Sequence, residues 1–305
     1  MNSACTSTGT KAHVPRPDDM LESYARGAVQ AHCSLWWRAA PSHAGRRTGF
    51  IGAIRSRDED ALAVLLARAA DRLREAGCEL AAGPIDGDTS HGYRLVTWSD
   101  GTPPFALEPY SELDAVIPWQ RAGFTPMETY ASYRDGALAE RDPRVPALEA
   151  RLRDAGVTLR ELNLARLDDE LAQIHALALR GFRDAPLFTP IGFDAFASLY
   201  RPLAALLDPR LSPVAERDGR IVGVLFALRD ARARDTVVLK TVMRDTDRRL
   251  GGLGYVLTDR ARAAAHELGM TSAISALQHD GSVARALAAN AVVFRRYAVF
   301  GKELS

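Results

Sequence analysis

The chain has 305 residues, enough for one large domain or for two of about 150 residues each. Its 47% hydrophobic and 25% charged residues are typical of a globular protein and exclude extensive disorder, collagen-like repeats and coiled coil. With 39 Lys and Arg against 38 Asp and Glu, the formal net charge is +1. This balance removes the global electrostatic argument for a nucleic-acid or anionic-membrane partner, so any anion site must be local.

The cysteines and the N-terminal segment bear on the compartment. Cys5, Cys33 and Cys78 are odd in number and show no CxxC spacing, so neither a disulfide framework nor a zinc knuckle is predicted. Residues 1–19 are rich in Ser and Thr and lack the apolar stretch of a secretory signal, which predicts a flexible tail. No stretch approaches the roughly 18 apolar residues that a membrane span requires. We therefore expect a cytoplasmic protein without a membrane partner.

The N-terminal half shows a strand, a helix and a second strand in succession. Residues 48–55 predict the first strand, and residues 78–85 predict the second. Between them, apolar residues recur at helical spacing until Gly77 ends the pattern. These apolar residues are Leu62, Leu65, Leu66, Ala69 and Leu73. A charged segment with Gly136, Pro143 and Pro146 then follows over residues 135–146, and this composition is typical of a connector.

The connector predicts two domains, residues 20–144 and 145–305, with the boundary near Arg144. The second domain begins with a predicted strand over residues 157–167, a helix capped by Asp168 or Asp169, and a further helix capped by Asp194. Three Val- and Leu-rich segments then predict an antiparallel meander, at residues 213–217, 221–228 and 236–243. A helix ending at Gly269 and a buried strand over residues 270–277 complete the unit, which repeats the order found in the first half.

The segment Arg249-Leu250-Gly251-Gly252-Leu253-Gly254 lies between the third meander strand and this helix. It places backbone N–H groups at a helix N-terminus, where glycine permits close approach and the helix dipole favours negative charge. Arg248 and Arg249 add charge-assisted donors, which suits a pyrophosphate. The segment lacks the GKS/T ending of a P-loop, and GxGxxG fails because position 257 is Leu. ATP and NAD are therefore disfavoured, while the residues alone leave the anion open.

In this context the pattern R-x-x-G-x-G at residues 249–254 resembles the coenzyme A pyrophosphate loop of the GNAT acyltransferase superfamily. The resemblance covers residues 157–304 and, more faintly, residues 26–134, where Ala122-Gly123-Phe124 resembles a helix-ending signature of the family. It implies an α/β (α+β) chain of two GNAT-like domains, each a mixed, mainly antiparallel sheet flanked by helices. In the first domain, residues 55–61 lack the glycines and carry three acids, so we expect that half not to bind coenzyme A.

The resemblance also implies the chemistry. An acyl-CoA, first of all acetyl-CoA, would be the co-substrate without a metal, and its acyl group would pass directly to a primary amine in a ternary complex. The thioester would lie in a gap between the strands of residues 236–243 and 270–277, where a backbone N–H of Val242 or Met243 would stabilise the oxyanion. The implied coenzyme-binding residues are Thr241, Val242, Met243, Arg248, Arg249, Leu250, Gly251, Gly252, Leu253, Gly254 and Tyr255.

The catalytic groups are less determined. A GNAT tyrosine that protonates the departing thiolate is missing from the helix predicted over residues 282–291, where Ala289 stands in its place. Ser282 and Tyr297 are the substitutes that the sequence offers. For the general base, His279 with the neighbouring Asp280 is one candidate, and Glu108 of the first half is another if the halves pack together.

The acceptor is expected to be a small amine or an amino-acid-like molecule, bound in a cleft built by both halves of a monomer or homodimer. Two alternatives remain. The missing tyrosine is compatible with a non-catalytic acyl-CoA sensor or scaffold. A tRNA-dependent aminoacyl transferase is the other alternative, although the near-zero net charge and the intact coenzyme loop argue against a nucleic-acid partner.

Overall fold

One mixed sheet runs through the whole computed structural model, which describes residues 14–282 and 291–305. Its strands are β1 (Asp19–Ala25), β2 (Ala28–Trp36), β3 (Thr48–Ser56), β4 (Leu80–Gly83), β5 (Leu95–Ser99), β6 (Thr125–Asp135), β7 (Thr158–Glu161), β8 (Pro213–Arg217), β9 (Arg220–Arg229), β10 (Thr236–Arg244), β11 (Ser272–His279) and β12 (Val292–Glu303). The described α-helices are α1 (Glu59–Glu75), α2 (Ile117–Arg121), α3 (Val145–Asp154), α4 (Leu167–Gly181), α5 (Phe193–Tyr200) and α6 (Leu253–Glu267).

The two halves of the chain exchange their last strands. The order of the sheet is β1-β2-β3-β4-β12-β6-β11-β10-β9-β8-β7, with β5 also pairing with β12. Strand β12, from the C-terminal end, therefore lies between β4 and β6 of the N-terminal half. Strand β6 in turn lies between β12 and β11. Backbone hydrogen bonds thus join the halves along the full length of two strands.

Packing follows the alternation of side chains along these strands. On β9, Leu225 and Ala227 face the core under α6, whereas Val224 faces the core under α4 and α5. In the N-terminal half, α1 packs on β2 and β3. Ala298 and Phe300 of β12 belong to that same N-terminal core, so the end of the chain completes the core of its beginning.

Most predicted elements are confirmed, and their bounds need some correction. The predicted strands of the meander correspond to β8, β9 and β10, and the repeated strand-helix-strand units are present in both halves. Asp168 and Asp169 do not cap α4, because Arg166 is its N-cap residue; both carboxylates lie in the first turn, where the helix dipole still favours them. Asp194 likewise lies in the first turn of α5. The helix predicted over residues 282–291 falls mainly on residues 283–290, outside the described part.

The connector and the described end of the predicted tail are both attached to the fold. The indole Nε1 of Trp36 donates to the Pro15 carbonyl oxygen at 2.8 Å, and the Trp37 amide donates to the Asp18 carboxylate at 2.7 Å. In the connector, Arg141 makes a forked ion pair with Asp259 of α6. The boundary near Arg144 stays a prediction. In the described ranges, no helix is both long enough and apolar enough to cross a membrane.

The exchanged strands predict that the two halves unfold together, and the tryptophans allow a direct test. All four tryptophans lie between residues 36 and 119, in the N-terminal half. Leu257→Ala, at a fully buried position on the inner face of α6, should cost about 2–5 kcal/mol of stability. We expect it to lower the urea midpoint seen by tryptophan fluorescence as much as that seen by far-UV circular dichroism.

Leu206→Ala is the matched control, because Leu206 lies in the same half and is 54% exposed. It should leave both midpoints nearly unchanged. An unchanged fluorescence midpoint in Leu257→Ala, with a circular dichroism curve in two steps, would show that the halves unfold separately.

Candidate functional site

A glycine-bearing loop precedes α6 and leaves its N-terminus open. Gly252 is the N-cap residue with a φ of +84°, a conformation that L side chains rarely adopt, and an added Cβ would lie 2.7 Å from the Leu148 side chain. Since glycine has no capping side chain, the first N–H groups of the helix stay unpaired. Within residues 14–282 and 291–305, no hydrogen bond engages the N–H groups of Gly252, Leu253 or Gly254. These donors lie at the positive end of a 15-residue helix, which suits an anion.

The two arginines of this loop differ in their contacts. The Arg249 guanidinium is held by Asp247 at 2.8 Å, and Asp247 also accepts from Arg217 at 2.8 Å. These two arginines hold the pKa of Asp247 well below its usual range. Arg248 is exposed and has no side-chain partner among the residues that the structure describes. Arg248 is therefore the cation of the loop that is free to meet a ligand.

Helix α3 also contacts this loop, and no sequence pattern predicted that contact. Arg151 donates to the Gly251 carbonyl oxygen, and the Arg144 guanidinium lies 4.1 Å from the centre of the Tyr255 ring. Only the tertiary structure reveals these contacts, because α3 and the loop are about 100 residues apart in the chain.

A gap opens between β10 and β11 beside the same loop. The two strands pair in parallel only from Thr236 to Leu239 on β10. Lys240 is the extra residue of a β-bulge, since Leu239 and Thr241 face consecutive residues of β9. Beyond the bulge, residues 241–243 keep β9 as their strand partner on one edge only, while β11 continues along β6. The structure thus places Thr241, Val242 and Met243 on the edge of an open gap, which we call the β10–β11 gap.

The equivalent gap in the N-terminal half is closed by the chain itself. Strands β3 and β4 also pair in parallel for three residues, but the Ile85 amide then donates to the Ile51 carbonyl oxygen at 2.9 Å. The Asp86 carboxylate accepts from the Ala53 amide at 2.5 Å. At the start of α1, the Asp58 side chain caps the helix by accepting from the Ala61 amide at 2.7 Å. In the N-terminal half, protein atoms therefore fill both the helix N-terminus and the gap between the parallel strands, the two places that stay open in the C-terminal half.

A segment of the N-terminal half crosses the sheet next to the β10–β11 gap. The Lys240 ammonium donates to the Leu107 carbonyl oxygen at 2.9 Å, and the Ala106 amide donates to Asp230 at 3.2 Å. Burial, reinforced by the nearby Arg94 guanidinium, lowers the pKa of Lys240 to about 8. Residues of both halves thus lie beside the gap.

Glu108 follows Leu107 in the same segment, and its side chain contacts residues of the C-terminal half. Its fully buried carboxylate lies 3.1 Å from the Arg295 guanidinium and accepts from the Tyr297 hydroxyl at 2.5 Å. The Tyr297 oxygen also lies 3.0 Å from the Ser132 hydroxyl. Burial, and then the Glu108 charge, raise the pKa of Tyr297 above its usual value, so this hydroxyl keeps its proton.

The predicted catalytic residues at the end of β11 are also held in place. The His279 Nε2 lies 2.6 Å from Glu128, and its Nδ1 accepts from the Gly281 amide at 3.2 Å, so both ring nitrogens have partners. The Ser282 amide donates to the His279 carbonyl oxygen at 2.9 Å. Asp280 accepts from the Thr129 hydroxyl at 2.6 Å. The roles of His279, Ser282 and Tyr297 stay predictions.

An apolar crevice under α4 and α5 adjoins the gap. Its volume is about 20 Å³, room for about one water molecule, and Thr241 and Met243 of β10 form one wall. The other lining residues are Leu162, Leu167, Leu171, Ile174, Tyr200, Leu207, Val224 and Phe226. Among the described residues, no group of His, Cys, Asp and Glu side chains is arranged to hold a metal ion.

Comparison with solved structures defines the fold. The chain superposes on a probable N-acyltransferase from Enterococcus faecalis with a TM-score of 0.55 and 12% identity, covering 93% of this chain and 62% of that one. It superposes on a GCN5-related N-acetyltransferase from Sphaerobacter thermophilus with a TM-score of 0.53 and 15% identity, covering 91% and 78%. The chain therefore has the GNAT fold, and the resemblance expected from the glycine loop is confirmed at this level.

The chain is also similar in sequence to a curated protein. Over 185 residues, the chain is 28% identical to the bacterial ceramide synthase of Caulobacter vibrioides. The match covers 60% of this chain and 48% of that protein, so the chain spans about half the length of this relative. No family model matches the chain.

The lowered pKa of Lys240 predicts a specific pH dependence of stability. Its pKa is about 8 in the folded protein and 10.5 when unperturbed, so the unfolded chain binds more protons between these values. The free energy of unfolding from this group should therefore rise from pH 8 to pH 10. Urea unfolding of the wild type and of Lys240→Met over this range should show the wild type gaining stability relative to the variant, whereas parallel curves would contradict the prediction.

Proposed function

We propose that this chain is an acyl-CoA-dependent acyltransferase that joins an acyl group to the nitrogen of an amine. The observation that carries the proposal is the coincidence of two open features in the C-terminal half. The unpaired N–H groups of Gly252, Leu253 and Gly254 lie beside the β10–β11 gap, whereas both equivalent places in the N-terminal half are filled. The N-terminal half then serves to build the acceptor cleft.

In this proposal, the donor is bound mainly by backbone groups. The pyrophosphate is held by the open N-terminus of α6 and by Arg248, with residues 249–255 forming the loop around it. The pantetheine arm lies along residues 241–243. An N–H of Val242 or Met243 donates to the carbonyl oxygen of the thioester and stabilises the oxyanion, an effect that can be worth about 2.7–4 kcal/mol.

The reaction is a direct transfer. The neutral amine attacks the carbonyl carbon, a carbon–nitrogen bond forms, and the carbon–sulfur bond breaks. The nitrogen loses one proton, and the departing thiolate gains one. His279, Tyr297 and Ser282 remain the proposed proton carriers.

The acyl group is the least determined part of the donor. Acetyl is the expectation from the sequence, but the curated relative is named a ceramide synthase, which favours a longer acyl chain. The apolar crevice begins at Thr241 and Met243, next to the proposed thioester position, and would have to widen to hold such a chain. Comparing thiol release from acetyl-, octanoyl- and palmitoyl-CoA with the same amine decides between these donors.

The main competing proposal is a non-catalytic acyl-CoA sensor, for which the absent family tyrosine is the supporting observation. A sensor would bind the coenzyme without releasing thiol across a panel of amines. A tRNA-dependent aminoacyl transferase would instead show salt-sensitive tRNA binding.

Charge reversal at the loop tests the donor site. Arg248→Glu should weaken coenzyme A binding, measured by isothermal titration calorimetry, about tenfold or more, because it replaces a charge-assisted donor by a repelling carboxylate. Arg57→Glu is the matched control, since Arg57 is an exposed arginine next to the start of the equivalent helix, α1. It should bind coenzyme A like the wild type. Equal affinity in all three proteins would place the donor site elsewhere.

A further inference from the structure

Arg94 is a buried cation without an anionic partner. Its guanidinium lies between the rings of Tyr93 and Tyr130, 3.7 and 3.8 Å from their centres, and the residue is 5% exposed. Its Nε and Nη1 atoms are buried and make no hydrogen bond within the described residues. No carboxylate forms an ion pair with it there, and residues 1–13 and 283–290 contain neither Asp nor Glu.

Such an arrangement is unfavourable for the empty protein. Taking a charge out of water is costly unless it is paired, and burial lowers the pKa of Arg94 to about 10. Contact with two aromatic rings offsets part of this cost but leaves the Nε–H and Nη1–H groups without an acceptor among the described residues. Buried N–H groups without an acceptor are rare in proteins, and a ligand that accepts their hydrogen bonds would account for them.

The charges around Arg94 do not supply the missing partner. Glu108 is engaged by Arg295 and by the Tyr297 hydroxyl. Lys240, which Arg94 influences electrostatically, has a carbonyl oxygen as its partner. Next to the β10–β11 gap, the buried Arg94 and Arg295 and the half-buried Lys240 thus lie near the buried carboxylate of Glu108.

Arg94 and the other charged side chains lie near the place where the proposed acyl transfer would occur. Tyr130, which stacks on Arg94, is paired across strands with Tyr297, whose hydroxyl contacts Glu108. Glu108 follows directly after Leu107, the acceptor for Lys240 on the β10 bulge. Arg94 thus lies on the side of the gap that the N-terminal half builds, where an acceptor would approach the thioester.

We infer that the acceptor amine carries a carboxylate group, and that Arg94 binds this group through its unpaired Nε–H and Nη1–H donors. The inference rests on the proposed function, whose acceptor it specifies as amino-acid-like. A carboxylate suits the site, because the buried Nε–H and Nη1–H groups of Arg94 have no acceptor among the described residues, and charge-assisted hydrogen bonds would satisfy them. Lys240, which Arg94 influences electrostatically, adds a second positive charge nearby.

The main test compares acceptors in pairs that differ only in charge. Glycine, β-alanine and 4-aminobutyrate are each assayed against the corresponding carboxamide, by thiol release from the acyl-CoA that the wild type uses. We expect at least one pair in which kcat/KM is tenfold or more higher for the carboxylate. Arg94→Gln should abolish that preference, so that carboxylate and carboxamide are used equally, while the affinity for coenzyme A stays at the wild-type value.

Arg134→Gln is the matched control. Arg134 also lies over an aromatic ring, 4.9 Å from the centre of Phe294, and donates to the Thr102 hydroxyl at 2.9 Å. It should keep the carboxylate preference. Equal use of carboxylate and carboxamide by the wild type, a retained preference in Arg94→Gln, or better use of an aminoalkyl phosphonate or of a long-chain amine without an acid group would each overturn the inference.

A second measurement does not depend on turnover. Because an unpaired buried cation destabilises the empty protein, Arg94→Met should keep or raise the melting temperature, and the amino acid preferred by the wild type should stabilise only the wild type. If no acceptor is turned over, propionate is used as the probe. A lower melting temperature in Arg94→Met, or equal stabilisation of both proteins, would show a purely structural arginine. If the carboxylate ligand stabilises the wild type but not Arg94→Met, and neither protein binds coenzyme A, the carboxylate site at Arg94 is supported and the proposed acyl-CoA donor is rejected.

Discussion

The exchange of β6 and β12 is the constraint on which the rest of the structure depends. Each of these strands hydrogen-bonds on both edges to strands of the other half of the chain, so the position of one half relative to the other is set by backbone pairing in the middle of a sheet. A side-chain interface of similar area would permit sliding, whereas a strand can change its register only by moving every side chain to the other face. This rigidity allows residues far apart in the chain to form one cleft.

The two halves use the same strand-helix-strand unit for opposite purposes. In both, a parallel pair of strands separates after three or four residues, next to the N-terminus of a helix. In the N-terminal half, Asp58 satisfies the helix and Ile85 and Asp86 bridge the strands. In the C-terminal half, Gly252 provides no cap and β11 continues along β6 instead. The same backbone geometry thus gives a closed structural element in one half and an open site in the other.

The cleft between the halves is unusual for its charge. In a chain whose formal net charge is +1, the buried Arg94 and Arg295 and the half-buried Lys240 lie close to the buried carboxylate of Glu108. Charges at such depth are screened much less than those on the surface, so their imbalance has greater consequences than the overall composition suggests. An acidic group on the acceptor would restore the balance at the place where the proposed reaction requires the acceptor to be held.

The sequence by itself determined the local elements and the nature of the donor loop. Periodicity predicted α1, α6 and the strands of the meander, and the glycines of residues 251–254 indicated an open helix N-terminus, because both signals depend on neighbouring residues. The caps of α4 and α5 were misplaced by two or three residues, since a carboxylate in the first turn and one at the N-cap are hard to tell apart from sequence.

Only the tertiary structure decided which strands lie side by side and which residues share the cleft. No local pattern reveals that β12 inserts between β4 and β6, that Glu108 meets Tyr297, or that Arg94 is left without a carboxylate. Each of these facts depends on pairing between segments that are some 170 to 220 residues apart in the chain, or on the absence of a partner among all neighbours in space. Such relations have no signature in the order of residues along one chain, because they arise only when the two halves share one sheet.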